Sequence, residues 1–316
     1  MKLEVDSDNF EAWLDGGTSC ENVVFQALDL RSHDDELASL PQARRAEDGC
    51  VLLGCGIGPR LAEAIAKHHG LIFPVIPGRP YKAFRPSLYT AAELFQGFDP
   101  DNPVSYFDSS DWRIYKSYIK VDANNQMLKP MQYVDAGADE VLARRLHDHF
   151  IENETDEFLQ HFKVPQGKGI VAIMGGHDRL RTDPIFADIA KVARQLTREG
   201  FLVASGGGPG LMEASNLGAY FAAHDDAGLD AALAHLGSAP SYKDSRWLAT
   251  AWEVVRDFPS PDLSVSRSFG VPTWFYGHEP PNVFATHIAK YFENSLREEG
   301  LLAIATHGVI FAEGNG

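Results

Sequence analysis

Residues 169–220 read GIVAIMGGHDRLRTDPIFADIAKVARQLTREGFLVASGGGPGLMEASNLGAY. Ile170 to Met174 is a short apolar run, ended by Gly175-Gly176. Ile185 to Leu196 carries apolar residues at helical spacing, with Asp188, Lys191 and Arg194 on other faces, and Gly200 stops it. Phe201 to Ala204 is a second apolar run. It leads into Ser205-Gly206-Gly207-Gly208-Pro209-Gly210 and then a helix beginning near Leu211. Apolar runs alternating with an amphipathic helix predict parallel strands joined by a crossover. Ligands of such sheets bind beyond the carboxyl ends of the strands, so both glycine turns lie on the binding edge.

Glycine suits that edge because backbone N–H groups must approach an anion closely, and a Cβ obstructs them or forbids the required φ. A helix that follows leaves its first N–H groups unpaired at a partly positive end. Gly175, Gly176, Gly206, Gly207, Gly208 and Gly210 are therefore candidate phosphate-binding residues. The alternative is a tight turn that packs a helix on a sheet.

Working outward, the chain of 316 residues has room for about two domains. Its 44% hydrophobic and 23% charged residues are ordinary for a globular protein. A net charge of −16 disfavours nonspecific binding to nucleic acid or anionic membrane, but leaves room for a small phosphorylated ligand at a local positive site. Cys20, Cys50 and Cys55 suggest neither a disulfide framework nor a zinc site and read as free thiols. The opening MKLEVDSDNFEAW is acidic where a signal peptide needs an apolar run, and no apolar stretch is long enough to span a bilayer; the expected compartment is the cytoplasm.

Three regions are expected. Residues 1–80 form a small α/β unit, with strands over Asn22 to Leu30, Val51 to Leu53 and Leu71 to Val75 and a helix from Pro59 to His68. Its turn Gly54-Cys55-Gly56-Ile57-Gly58-Pro59 is read as structural or as part of a domain interface, with anion binding as the alternative. Residues 81–165 form a loop-rich and helical connection. Thr90 and Glu93 make a capping box there, and Trp112, Tyr115 and Tyr118 read as packing residues rather than a ligand platform. Ala138 to Phe162 reads as a long helix with Val141, Leu142, Leu146, Phe150, Phe158 and Leu159 on its apolar face. Its His147, His149, Asp148 and His161 read as polar helix residues rather than metal ligands. Residues 166–316 form the main parallel-sheet domain, with a further core strand over Gly270 to Tyr276, a helix over Asn282 to Leu302 and a strand over Val309 to Ala312. His278 and Glu279 leave the carboxyl end of their strand and are candidates to contact base or ribose. His177 and Arg179 are weaker candidates.

SGGGPGLMEASNLGA closely resembles the GGG-x-G-[LI]-M-E-A-A-N-x-G-A signature of the LOG family, and the resemblance covers about residues 166–316. Founding members of that family are cytokinin nucleoside 5′-monophosphate phosphoribohydrolases, and members have often been labelled lysine decarboxylases. The resemblance implies a Rossmann-like parallel sheet with helices on both faces, here preceded by a smaller α/β plus helical N-terminal region. It implies that Met212 belongs to the nucleotide site and that Glu213 borders the ribose pocket as a catalytic candidate. From the residues alone, Glu213 is also a carboxylate favoured by the helix dipole. The family's second motif, P-G-G-x-G-T-x-x-E, cradles the 5′-phosphate after a core strand. Here it begins as Glu313-Gly314-Asn315-Gly316, so Gly314 and Gly316 are implied phosphate-binding residues, and the sequence is expected to be a fragment that stops inside the motif. The segment FENSLREEGLL at 292–302 resembles the family's arginine-bearing helix, which makes Arg297 the implied catalytic arginine; the alternative is a solvent-facing arginine paired with nearby glutamates.

Together these readings predict an enzyme that hydrolyses a nucleoside 5′-monophosphate to free base and ribose 5-phosphate, with no metal or redox cofactor, and as a homodimer by resemblance. The competing expectation is a non-catalytic nucleotide-binding or sensing module. A dinucleotide-dependent oxidoreductase is disfavoured, because GGGPGLME does not supply G-x-G-x-x-G spacing.

Overall fold

The computed structural model describes residues 3–17, 19–275 and 279–314, apart from the side chains of residues 296 and 298. The chain divides into two compact units, Met1–Ser87 with Ala136–Phe150, and Leu88–Asp135 with Ile151–Gly316.

The first unit is a parallel four-stranded sheet in the order β1-β2-β3-β4. Its elements are β1 (Leu3–Val5), α1 (Phe10–Gly16), β2 (Val23–Gln26), α2 (Asp34–Ser39), β3 (Val51–Leu53), α3 (Pro59–Lys67) and β4 (Leu71–Phe73). β2 is shorter than the run of apolar residues suggests. Ala27 takes φ 53, and a left-handed Ala cannot continue a strand. Phe25, Leu52, Leu61 and Ile65 are fully buried at the core, with Val5 and Phe10 beside them. All three cysteines are buried free thiols, and burial pushes the Cys20 and Cys55 thiols up.

In the second unit, α4 (Ala91–Leu94) starts where Thr90 Oγ1 accepts from the Glu93 amide at 3.2 Å, and α5 (Ser110–Tyr118) starts at the Ser109 cap. Trp112 and Tyr115 of α5 are buried. α6 (Ala138–Gln160) begins in the first unit and ends in the second. Its inward face differs from the sequence expectation: Val141 and Leu142 are about half exposed, whereas Ala143, His147, Phe150, Ile151 and Leu159 are buried. His147 shares its ring Nδ1 with Asp148 at 2.9 Å, and burial lowers its pKa.

The second sheet is also wholly parallel. Its elements are β5 (Ile170–Met174), α7 (Pro184–Arg198), β6 (Leu202–Ser205), α8 (Leu211–Tyr220), α9 (Asp226–Leu236), α10 (Trp247–Asp257), β7 (Ser268–Gly270), β8 (His287–Ile288), α11 (Asn294–Ile304) and β9 (Val309–Phe311). The strand order is β8-β7-β6-β5-β9. β5 and β6 are buried along nearly their whole length, as a strand covered on both faces must be. α7 and α8 pack against each other. They can do so because α8 has Gly218 at the crossing, where a Cβ would lie 2.0 Å from the Ala190 carbonyl oxygen. The sheet grows from β5 toward β8 and then returns to β9 on the other side of β5. Right-handed crossovers therefore put α11 on the face opposite α7 and α8. This is the Rossmann-like arrangement.

Two elements depart from the sequence reading. The strand expected over Gly270 to Tyr276 is interrupted: β7 ends at Gly270 because Pro272 has no N–H for the ladder, and pairing resumes where Tyr291 N donates to Pro272 O at 3.2 Å and Trp274 N to Tyr291 O at 3.0 Å, while Tyr276 lies outside the described residues. The helix expected over Asn282 to Leu302 begins only at Asn294. Asn282 Oδ1 accepts from the amides of Phe284 and Ala285, both at 3.1 Å, which fixes a turn instead. The chain after that turn pairs with β7 as β8.

Candidate functional site

β5 and β9 lie side by side but are far apart in the sequence, so the sheet reverses its direction of growth between them. Ligand crevices of open α/β sheets open at such a point, beyond the carboxyl ends. Three glycine turns meet there. Gly175-Gly176 leave β5, Gly206–Gly208 leave β6, and Gly314 follows β9. The carbonyl of Gly176 accepts the Leu211 amide at 3.1 Å. Gly210 takes φ +68 with its Cβ position 2.4 Å from that same carbonyl oxygen, so only glycine fits this corner. A Cβ on Gly314 would lie 2.2 Å from the Gly176 nitrogen.

The second turn is pinned from below. Fully buried Asn282 donates its amide to Gly207 O at 2.8 Å and its Nδ2 to Gly208 O at 3.1 Å and to Asn216 Oδ1 at 2.9 Å. Ser205 Oγ donates to Asn216 Oδ1 at 2.7 Å and accepts from the Gly207 amide at 3.1 Å. The carbonyls of Gly207 and Gly208, which would repel an anion, are thereby held by Asn282. Among the described residues, the amides of Gly208 and Gly210 donate to no acceptor.

Arg297 places a guanidinium beside this turn. From the second turn of α11 its Nη2 reaches Met212 Sδ at 3.5 Å and lies 2.9 Å from where a Cβ on Gly206 would stand. Met212 folds back under the glycine turn, its Sδ 2.5 Å from that position. Glu279 lies at the other end of the turn, with Oε2 3.7 Å from the Cβ position of Gly208 and Oε1 3.8 Å from His177 Nδ1. Arg179 pairs with Glu313 at 2.9 Å, between the loop after β5 and the end of β9. Gly175, Gly176, Gly206, Gly207, Gly208, Gly210, Met212, Glu279, Arg297 and Gly314 thus gather on one edge. His278 and Gly316 lie outside the described residues.

Glu213 does not join them. It is fully buried, and Arg181 grips it with both arms, Nε to Oε2 at 3.0 Å and Nη2 to Oε1 at 2.5 Å. Trp247 Nε1 donates to Oε2 at 3.3 Å, and Arg181 also donates to Ala239 O at 3.2 Å and Thr250 Oγ1 at 2.8 Å. A carboxylate whose oxygens are committed in this way ties α8 to the loop after β5 and to α10. The sequence-based catalytic assignment of Glu213 needs an open approach that its 0% exposure does not give.

Several residues of this region carry no local sequence signal. Arg181 and Asn282 act across 32 or more residues, and Tyr242 sits in a loop. A second buried pair lies at the end of β8, where Lys290 Nζ donates to Asp111 Oδ1 at 2.6 Å. Trp274 Nε1 donates to the same oxygen at 2.9 Å, and Tyr106 OH donates to Oδ2 at 3.1 Å. Burial lowers the Lys290 pKa against the pull of Asp111.

Among the described residues, no group of three or more His, Cys, Asp or Glu is placed to hold a metal ion, and no helix is long and apolar enough to cross a membrane. No protein-family model matches the sequence, and no curated protein matches it.

Proposed function

We propose that the protein binds a nucleoside 5′-monophosphate at the carboxyl edge of the second sheet and hydrolyses its N-glycosidic bond, in the manner of the LOG family that its glycine signature resembles. The observation that carries this reading is the Arg297 guanidinium beside a glycine turn whose carbonyls are tied away from it. A cation and available amides at one point are what a phosphate monoester needs. In the reaction, the bond between the base nitrogen and C1′ of the ribose breaks and a water oxygen bonds to C1′. A water proton goes to the departing base, so the products are free base and ribose 5-phosphate. Positive charge grows on the sugar as the bond breaks, and a preorganised carboxylate lowers that barrier. No metal or redox cofactor enters this scheme. The reading carries with it a cytoplasmic homodimer.

A second reading is a nucleotide-binding module without catalysis. The burial of Glu213 against Arg181 favours it, because that carboxylate is then withdrawn from the sugar. One experiment separates the two. The protein is incubated with a panel of nucleoside 5′-monophosphates while free base is followed by chromatography and thermal unfolding is recorded. Base release supports the hydrolase. A nucleotide-dependent rise in Tm with no base released supports the binding module. Neither effect with any nucleotide overturns both.

A further inference from the structure

We infer that Glu279 is the residue that receives the ribose, its two carboxylate oxygens accepting hydrogen bonds from the 2′- and 3′-hydroxyls, so that the site selects ribonucleotides over deoxyribonucleotides. This rests on the nucleotide reading above and deepens it.

Glu279 lies on the connection from β7 to β8, at the same sheet edge as Arg297, and the two groups stand at opposite ends of one short turn. Arg297 Nη2 is 2.9 Å from the Cβ position of Gly206, and Glu279 Oε2 is 3.7 Å from that of Gly208. Two residues of chain span at most about 7 Å. A ribose 5-phosphate has the same polarity over a similar reach, with a dianion at one end and a cis-diol at the far side of the ring. Laid along the turn, it puts its phosphate at the arginine and its hydroxyls at the carboxylate.

Chemistry and surroundings agree. An ionised carboxylate only accepts hydrogen bonds, and hydroxyls are the donors that a ribose has and a deoxyribose partly lacks. The Glu279 oxygens are not already spent. Among the described residues the one ion-pair contact is His177 Nδ1 at 3.8 Å, too long for a hydrogen bond. The side chain is 21% exposed, open to a ligand yet largely out of bulk water. Glu213 differs on each count, being sealed and doubly bonded to Arg181. His177 and Tyr242 stand edge to face at 6.1 Å beside Glu279. Burial, and then the Glu279 and Asp178 carboxylates, push the Tyr242 phenol up, which places its ring within the field of the same carboxylate.

The test compares ribose 5-phosphate with 2-deoxyribose 5-phosphate by calorimetric titration of the full chain, with inorganic phosphate as control. Neither sugar phosphate carries a base, so an unknown base preference does not enter. The wild type is expected to bind the ribose form about tenfold to a hundredfold more tightly, the range for hydrogen bonds to a charged acceptor. In Glu279→Ala the two sugar phosphates should bind alike while inorganic phosphate affinity stays as in wild type. Glu279→Gln, which keeps the shape and one acceptor, should fall between; unfolding curves of both variants check that the fold is retained. Ribose preference undiminished in Glu279→Ala would overturn the inference and leave the phosphate site standing. No binding of inorganic phosphate or of either sugar phosphate by wild type would overturn the nucleotide reading and this inference with it.

Discussion

The molecule contains the same device twice, and the two copies differ in what fills it. In the first unit β3 runs through Gly54–Gly58 into α3, and in the second β6 runs through Gly206–Gly210 into α8. In the first, Asp34 of α2 places its carboxylate at the start of α3, where Oδ1 accepts from the Leu61 amide at 2.8 Å and Oδ2 from the Arg60 amide at 3.2 Å. A protein carboxylate already sits where an anion would bind. In the second, the acidic residue of the first turn, Glu213, points into the interior and holds Arg181 instead. The glycine turn there faces a cation, Arg297. Glycine spacing alone cannot tell these turns apart. The nearest internal carboxylate does so, by either capping the helix or leaving its amides for a ligand.

Four changes would break or sharpen that contrast. The largest effect is expected from Glu213→Ala, which strands a buried guanidinium. Removal of one partner of a buried pair costs about 3–5 kcal/mol. Urea unfolding would read this as a lower midpoint with unchanged slope, and a loss under 1 kcal/mol, on the scale of an exposed pair, would show that the pair is not the anchor described here. Acid comes next. Burial, and then the Arg267 charge, depress His287 on β8 to about 4. The folded state therefore favours the neutral ring. Its contribution is complete above the unfolded value near 6.5 and is lost as pH falls from there to about 4, up to about 3 kcal/mol in all. His287→Gln should flatten the difference between unfolding midpoints at pH 4 and pH 7. Gly210→Ala follows, at about 1–3 kcal/mol, since it forces a side chain to φ +68 against the Gly176 carbonyl. It should lower Tm and weaken phosphate binding together. The smallest is Asp34→Ala, which removes a helix cap from α3 and should cost about 1 kcal/mol. Phosphate affinity at the proposed site should match wild type, because the Gly206–Gly210 turn and Arg297 are untouched by the change.

Much of the second sheet was legible because each of its central strands is covered on both faces. Ile170 to Met174 and Phe201 to Ala204 are unbroken apolar runs flanked by glycine, and β5 and β6 lie there. The stretch after Gly270 was not legible. Its conformation is set by Pro272, whose missing N–H interrupts the ladder, and by Asn282 bonding two amides ahead of it and two glycine carbonyls 74 or so residues behind. Such long-range bonds leave no periodicity. The described glycines and Arg297, singled out by local pattern and resemblance, lie on one edge of the second sheet. The fate of Glu213 could not be read, since helical position gives the dipole argument but says nothing of an arginine 32 residues earlier. The exposed Val141 and Leu142 show the same limit: a 23-residue helix has apolar residues on more than one face, and packing chooses among them.

The most direct test is calorimetric titration of inorganic phosphate into the wild type, Arg297→Ala and Asp34→Ala. The account predicts one binding event in wild type, weakened about tenfold or more by loss of the charged donor in Arg297→Ala and unchanged in Asp34→Ala. Equal affinity in wild type and Arg297→Ala would contradict it and remove the anion site from the carboxyl edge of the second sheet.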